Sequence, residues 1–465
     1  MTPQPSWSAD QPAPSRGEPR ELTLAVGAPA HGGHCVARPV DDPGGRVIFV
    51  RHALPGETVR ARLTEMTSRT WRADAVEVLQ ASPDRVESVW PEAGPAGVGG
   101  GELAHVALDA QRTWKRWVLA DCLRRIGGQE GADAVAALPE ASAAAAVPIE
   151  PMPTDAAAQA SNSARRRALA GTATRTRVSL TVGEDGRPGM HAFRSGTVLP
   201  LRRLPLAVDA ITEIGLLERS RWRAHYRPGM RIEAIAPSGG EPVVLLDERL
   251  LTAQARSTGR RRVREVVDAS GLGLGELTYS VHAEGFWQVH VDAPRVLVER
   301  VVRGALGEDL EGAAGTRVLE LYSGAGLFTL PLAALVGSGG GVVSLEGNEQ
   351  AVRDARRTLH DQPSARLAAG RVSARSVREL AGSLSGGRPD VVVLDPPRQG
   401  AGREVIEAVG ALGAGRIVLV ACDPAALARD LGTLLSAGYA LGSMSALDMF
   451  PHTHHFETIA VLDRV

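Results

Sequence analysis

Among side chains that could do covalent chemistry, the three thiols are the first to weigh. Cys35, Cys122 and Cys422 stand far apart and are too few for a disulfide framework, and no CxxC or His/Cys cluster suggests a metal. A lone thiol in a reducing compartment is either packing or a nucleophile, so its surroundings decide. Cys35 lies in a Gly-Gly-His-Cys-Val stretch and Cys122 on a helical stretch with Trp117 and Leu119, settings in which a thiol packs. Cys422 follows an apolar run, in Ala421-Cys422-Asp423-Pro424, and Asp395 does the same, in Asp395-Pro396-Pro397-Arg398 after the apolar residues 391–394. Both motifs fall where a buried strand ends. Open α/β sheets hold their ligands at those ends.

A third strand end carries glycines. Residues 318–329, VLELYSGAGLFT, read as a strand, a turn and a helix start, and Gly324 and Gly326 let the backbone approach a ligand closely. A dinucleotide fingerprint needs a third glycine where Thr329 stands, so a pyrophosphate cofactor is disfavoured. S-adenosylmethionine has no pyrophosphate and fits the turn better. Glu346 ends the next strand, about 20 residues on, where an acid can accept hydrogen bonds from both ribose hydroxyls. Tyr322 at the strand tip could pack against the methionine or adenosine part. The ordinary alternative for Glu346 is an exposed strand-end acid.

Three segments must position these groups. Residues 1–20, rich in Pro, Ser and polar residues, read as a disordered tail. Residues 21–81 alternate in strand fashion between Gly and Pro turns and predict a small β-barrel. Residues 85–280 predict an α+β central domain, with a helix around 114–126, an Ala-rich linker or poorly ordered loop over 131–148, and a hairpin turning at Asp185-Gly186. From 281 to 465, short buried strands (RVLELY, GVVSLEG, DVVVLDPP, RIVLVACDP, TIAVLDRV) alternate with amphipathic helices at 294–302, 327–335, 349–359 and 425–435. The fold class is multi-domain α/β, its C-terminal domain a Rossmann-like doubly wound sheet.

The phrases that flank these residues resemble the uracil-C5 RNA methyltransferases, a family acting on tRNA or large-subunit ribosomal RNA. The likeness runs through most of the chain: a TRAM-like barrel over 21–81, TRTRVSLTVGEDGRPGMHAFRS, Phe286-Trp287-Gln288, LELYSGAGLFTLPLA, LDPPRQG, VACDPAALARDL and DMFPHTHHFETIAVL, in one order. It implies S-adenosylmethionine as cofactor, Cys422 as a nucleophile toward C6 of uracil and Glu457 as the base that removes the C5 proton. It also implies cofactor contact by Gln288, and a place for Asp395 where family members hold substrate or cofactor. Uracil C5 is a poor nucleophile until a thiolate at C6 saturates the ring double bond, so the chemistry needs a cysteine and a base near one base ring. Taken singly, Cys422 could still be strand filler, Glu457 an edge acid and Gln288 a surface residue.

Two departures qualify the resemblance. The family's Ser-Cys-Asn-Pro is Ala-Cys-Asp-Pro here, and a carboxylate at Asp423 is expected to raise the pKa of the thiol. Many members also hold an iron–sulfur cluster on cysteines; Trp90, Val98 and Gly101 stand in their places, so no cluster is expected.

The chain of 465 residues is 44% hydrophobic and 23% charged, and its net charge of −1 gives no hint of a polyanionic partner. Arginine supplies all its cations but one, Lys115, a skew that coding bias could produce. Two arginine clusters (Arg165, Arg166, Arg167, Arg175 and Arg177; Arg256, Arg260, Arg261, Arg262 and Arg264) are either solvated surface or, beside a nucleic-acid enzyme, phosphate contacts. No apolar run approaches the roughly 20 residues that span a bilayer. The expectation is a cytoplasmic monomer whose partner is ribosomal RNA or tRNA. The competing readings are an RNA-binding protein with a weakened methyltransferase domain, and a methyltransferase for small molecules or proteins.

Overall fold

The computed structural model describes residues 21–141 and 146–465; the expected tail over 1–20 and positions 142–145 of the Ala-rich span lie outside the described residues. The chain divides into two compact units, one holding the barrel and the other residues 84–465.

The first unit is a closed barrel of β1 (Glu21–Ala30), β2 (His34–Pro39), β3 (Ile48–Arg51), β4 (Thr58–Met66) and β5 (Trp71–Gln80), in the order β1-β2-β3-β5-β4. Alternation puts Leu24, Ile48, Val50, Val59 and Ala73 in its core. Arg51 and Asp74 form a buried two-pronged pair at 2.9 and 2.7 Å.

In the second unit the central segment supplies strands to more than one sheet. The helix Leu108–Ile126 and the strand β6 (Ile149–Pro151) join the C-terminal layer, β6 as its edge strand. The described start of the Ala-rich span is helical, within Gly128–Ala136, and buries Val135. The remainder builds a six-stranded antiparallel sheet from β7 (Arg177–Val182), β8 (Pro188–His191), β9 (Val198–Pro200), β10 (Arg231–Ile235), β11 (Val243–Leu246) and β12 (Arg249–Thr252). A two-stranded ribbon of β13 (Arg262–Asp268) and β14 (Glu276–His282) follows.

The C-terminal sheet contains β15 (Arg317–Leu321), β16 (Gly341–Glu346), β17 (Ala365–Ala369), β18 (Val391–Leu394), β19 (Arg416–Ala421), β20 (Tyr439–Asp448) and β21 (Glu457–Arg464). Their order is β17-β16-β15-β18-β19-β21-β20-β6. The first five are parallel, which requires crossover helices on both faces and explains why the strands read as unbroken apolar runs. β21 runs antiparallel to β19, so its first residue lies at the edge where the parallel strands end.

Candidate active site

Register brings the expected residues to one edge. Leu321 is level with Leu345 and with Leu394, so the next residues, Tyr322, Glu346 and Asp395, follow on one rung. Ala421 pairs with Thr458, and the Thr458 hydroxyl donates to the Ala421 carbonyl at 2.8 Å. One step further, Cys422 comes level with Glu457. All five line a single cleft of about 1260 Å³, together with Gln288. Pockets for one small ligand run to about 1,000 Å³. This cleft has room for a cofactor beside a nucleoside.

At the cofactor end the glycine turn and the acid are joined. Glu346 accepts the Gly324 N–H at 2.9 Å and the Asn348 N–H at 2.6 Å. Gly324 has φ +56° and open space where a Cβ would stand, so the turn can approach a ligand without a side chain intervening. Tyr322 adopts φ +64°, a left-handed conformation costly for an aromatic residue, at the rim of the cleft. These features fit S-adenosylmethionine.

Thr329, which occupies the third-glycine position, donates to Glu320 at 2.6 Å and ties the helix start back to β15. Sequence reasoning passed over Glu320. It is buried, its second oxygen has no protein partner, and burial pushes its carboxyl up to about 8. Between the unfolded carboxyl range and about 8 only the folded state holds this proton, so stability is lost as pH rises through that window. Glu320→Gln should therefore flatten the decline in unfolding free energy of the ligand-free protein between pH 5 and 8, an effect on the order of 4 kcal/mol. Denaturant titrations at three pH values would check it, and an unchanged slope would count against a buried, protonated Glu320.

Cys422 is half-buried, whereas Cys35 and Cys122 are buried, the Cys35 thiol donating to the Ala53 carbonyl at 3.4 Å. Burial pushes the Cys422 thiol up to about 12, with Glu457 and Asp395 adding to it and Arg398 opposing. Asp423 also raises it, as expected from its position, but contributes least. Its carboxylate also caps the helix Pro424–Ser436, accepting from the N–H groups of Ala425 at 3.0 Å and Ala426 at 2.9 Å. Asparagine and aspartate serve equally as such caps, which explains the change from the family pattern. Burial raises both Asp395 and Glu457 well above the carboxylate range; at Glu457 the Asp395 charge adds to this and Arg398 works against it. A carboxyl so raised is a stronger base than a solvated one.

The segment after β14 supplies the opposite wall. Trp287 is buried against Tyr279, ring centroids 5.1 Å apart, while Phe286 on the cleft rim is 73% exposed and Gln288 faces the cleft. Arg177 holds this segment by donating to the carbonyls of Gly285 at 2.8 Å and Ala283 at 3.3 Å, and it pairs with Glu265 at 3.3 Å. Arg175 donates to the Gly100 carbonyl at 3.3 Å. These two arginines brace the protein from within and also line the cleft, so they are not simply solvated surface. Arg262 is likewise engaged, pairing with buried Asp354 at 2.9 Å. Arg165, Arg166, Arg167, Arg256, Arg260 and Arg261 are exposed.

The stretch that holds Trp90, Val98 and Gly101 does not fit an iron–sulfur cluster. Trp90 and Val98 are packed in the core of the six-stranded sheet, and a Cβ on Gly101 would stand 2.7 Å from the Ala93 Cβ. Neither side chain offers a ligand atom of the kind a cluster needs. Among the described residues no group of three or more His, Cys, Asp or Glu could hold a metal ion.

A doubly wound sheet with a glycine turn joined to a strand-end acid, and with no pyrophosphate fingerprint, fits a class of transferase that uses S-adenosylmethionine. The family model described as tRNA (Uracil-5-)-methyltransferase matches residues 276–465, and a TRAM domain matches 18–76. A Streptomyces avermitilis protein described as an uncharacterized RNA methyltransferase is 38% identical over 95% of this chain and 98% of its own. The 23S rRNA (uracil(1939)-C(5))-methyltransferase of Halomonas elongata is 30% identical over 97% of this chain and 91% of its own. The crystal structure of Pyrococcus abyssi tRNA (uracil-54, C5)-methyltransferase with S-adenosyl-L-homocysteine superposes with a TM-score of 0.61, covering 94% of this chain and 99% of that one at 20% identity, a likeness of fold. The chain belongs to the RNA uracil-C5 methyltransferase family, S-adenosylmethionine-dependent enzymes. Among the described residues no helix is long and apolar enough to cross a membrane.

Proposed function

We propose that this enzyme methylates C5 of a uridine in ribosomal RNA through a covalent adduct between Cys422 and C6 of the base. The observation that carries the reading is the convergence of Cys422, Glu457, Asp395 and Glu346, from four strand ends, on one cleft. Glu346, Tyr322, Gln288 and Asp395 would hold S-adenosylmethionine, which supplies an electrophilic methyl group when bound. Cys422 gives up its proton to solvent and its sulfur bonds to C6; the C5–C6 π electrons move toward O4 and give C5 carbanion character, and C5 accepts the methyl group, with S-adenosylhomocysteine as the leaving product. Glu457 then takes the C5 proton, the C5–C6 double bond reforms and the thiolate leaves. Ribosomal RNA is favoured over tRNA because relatives named for 23S rRNA match along nearly the whole chain. The base must be reached outside a stack, so a loop or bulge is the expected setting.

Labelled methyl transfer to ribosomal and transfer RNA, each purified from cells lacking the gene, tests this. The expected product is 5-methyluridine in the ribosomal fraction; its appearance only in tRNA would move the substrate, and its absence from both would remove the reading. The exposed ring of Phe286 on the cleft rim suits stacking on a nucleobase. Base–aromatic stacking contributes about 1–3 kcal/mol, so Phe286→Ala should weaken RNA binding roughly 5- to 100-fold in a filter-binding titration. Cofactor affinity should stay unchanged.

A further inference from the structure

The loop between β20 and β21 brings Phe450, Thr453, His455 and Glu457 to the cleft, and it is gripped from behind by two side chains one helical turn apart. Lys115 is fully buried on the helix Leu108–Ile126 and pairs with the buried carboxylate of Asp448, the last residue of β20. It also donates to the Phe450 carbonyl at 3.1 Å. That same carbonyl accepts from Thr453, through the N–H at 3.2 Å and the hydroxyl at 2.8 Å, and the Thr453 hydroxyl in turn accepts the His455 N–H at 3.2 Å. Gln111 holds the turn itself. Its amide oxygen accepts the His452 N–H at 2.7 Å, and its amide nitrogen meets His452 Nδ1 at 3.1 Å. His452 sits at φ +66°, a conformation a non-glycine residue keeps only when its surroundings hold it there.

Lysine at this place stands out against the rest of the sequence. The chain has 52 basic residues of the Lys and Arg types, and Lys115 alone is lysine. An arginine brings a rigid planar fork of five N–H donors; an ammonium is compact and brings three that rotate. The site offers the Asp448 carboxylate and the Phe450 carbonyl to a side chain that is itself fully buried. A protein that uses arginine for every other cation keeps lysine where a guanidinium would leave buried donors unpaired.

We propose that Lys115 and Gln111 are positioning residues for the proton-abstraction step, holding the β20–β21 loop so that Glu457 meets the C5 proton of the methylated adduct. The proposal rests on the covalent reading of Cys422 given above. Loss of the grip should leave Cys422, on a different strand, able to form the adduct and C5 able to accept the methyl, while resolution slows.

The test is a single-turnover reaction of full-length enzyme with methyl-labelled S-adenosylmethionine and uridine-containing RNA, quenched in denaturant and run on a denaturing gel. The variants are Lys115→Arg, Gln111→Leu, and the double change Lys115→Met with Asp448→Leu, which removes both charges together and leaves neither orphaned. Steady-state kcat is expected to fall about tenfold or more, while the first-turnover methyl burst falls less than about threefold and RNA stays covalently attached to protein. A merely structural role would lower burst and turnover in parallel, with no accumulated adduct. That result, or wild-type turnover in Lys115→Arg, would overturn the proposal. So would failure of all three variants to fold, which would make the pair part of the core and nothing more. RNA carrying 5-fluorouridine separates the two levels, since fluorine cannot leave as a proton. No fluorinated adduct in wild type removes the Cys422 reading; its presence, with no uridine adduct in the variants, removes only the role of Lys115 and Gln111.

Discussion

Cys422→Ser is expected to lose methyl transfer by on the order of 10⁴-fold or more in kcat/KM, about 5 kcal/mol of transition-state stabilisation. A hydroxyl is a far weaker nucleophile than a thiolate, and nothing beside residue 422 would generate an alkoxide: its nearest charged neighbours include Glu457 and Asp395, which oppose a second negative charge. The substitution removes no packing of consequence at a half-buried position, so thermal unfolding and the affinity for S-adenosylmethionine should stay near wild type. Methyl-transfer kinetics beside a calorimetric cofactor titration would check both halves. A serine variant retaining more than about a tenth of wild-type kcat/KM would mean that residue 422 does not supply the nucleophile.

Glu457→Gln should fail later in the cycle. The amide keeps the shape of the carboxyl and loses the base, so turnover should fall roughly 10²- to 10⁴-fold, the usual range for a general base. Adduct formation should survive. Removing a buried acid beside Asp395 also removes one source of repulsion on the thiol, so the first-turnover burst should be no slower than in wild type. The distinguishing readout is protein–RNA adduct on a denaturing gel with ordinary uridine RNA, a species wild type clears. Loss of burst and turnover together, with no adduct, would place the role of Glu457 before methyl transfer.

Much of this site was legible in the sequence because its residues follow strand ends. VLELYSGAGLFT, VVVLDPPR and VLVACDP each couple an unmistakable buried strand to the residue just past it, and a parallel sheet places all such residues along one edge. Glu457 was legible only through resemblance. It begins a strand, and only the antiparallel run of β21 beside β19 brings that beginning level with Cys422. Pairing partners of that kind are set by the whole sheet, which no local pattern encodes.

Charge misled where tertiary acceptors intervened. Arg177 looks like one more surface cation until the carbonyls of Ala283 and Gly285, and the Glu265 carboxylate, come to it from about a hundred residues away. Glu320 sat inside an apolar strand with no local sign that it would be buried, and β6 is three residues long, too short for alternation to register. Lys115 was visible as an oddity of composition, but its meaning required the loop it grips.

The most direct measurement is to identify the atom joined to the base. RNA containing 5-fluorouridine, incubated with enzyme and S-adenosylmethionine and then digested with nuclease and protease, should yield one cross-linked peptide, and fragmentation should place a methylated fluoropyrimidine nucleotide on Cys422. A cross-link on Cys35 or Cys122, or steady formation of 5-methyluridine from ordinary RNA with no cross-link from the fluorinated one, would contradict attack by this thiol.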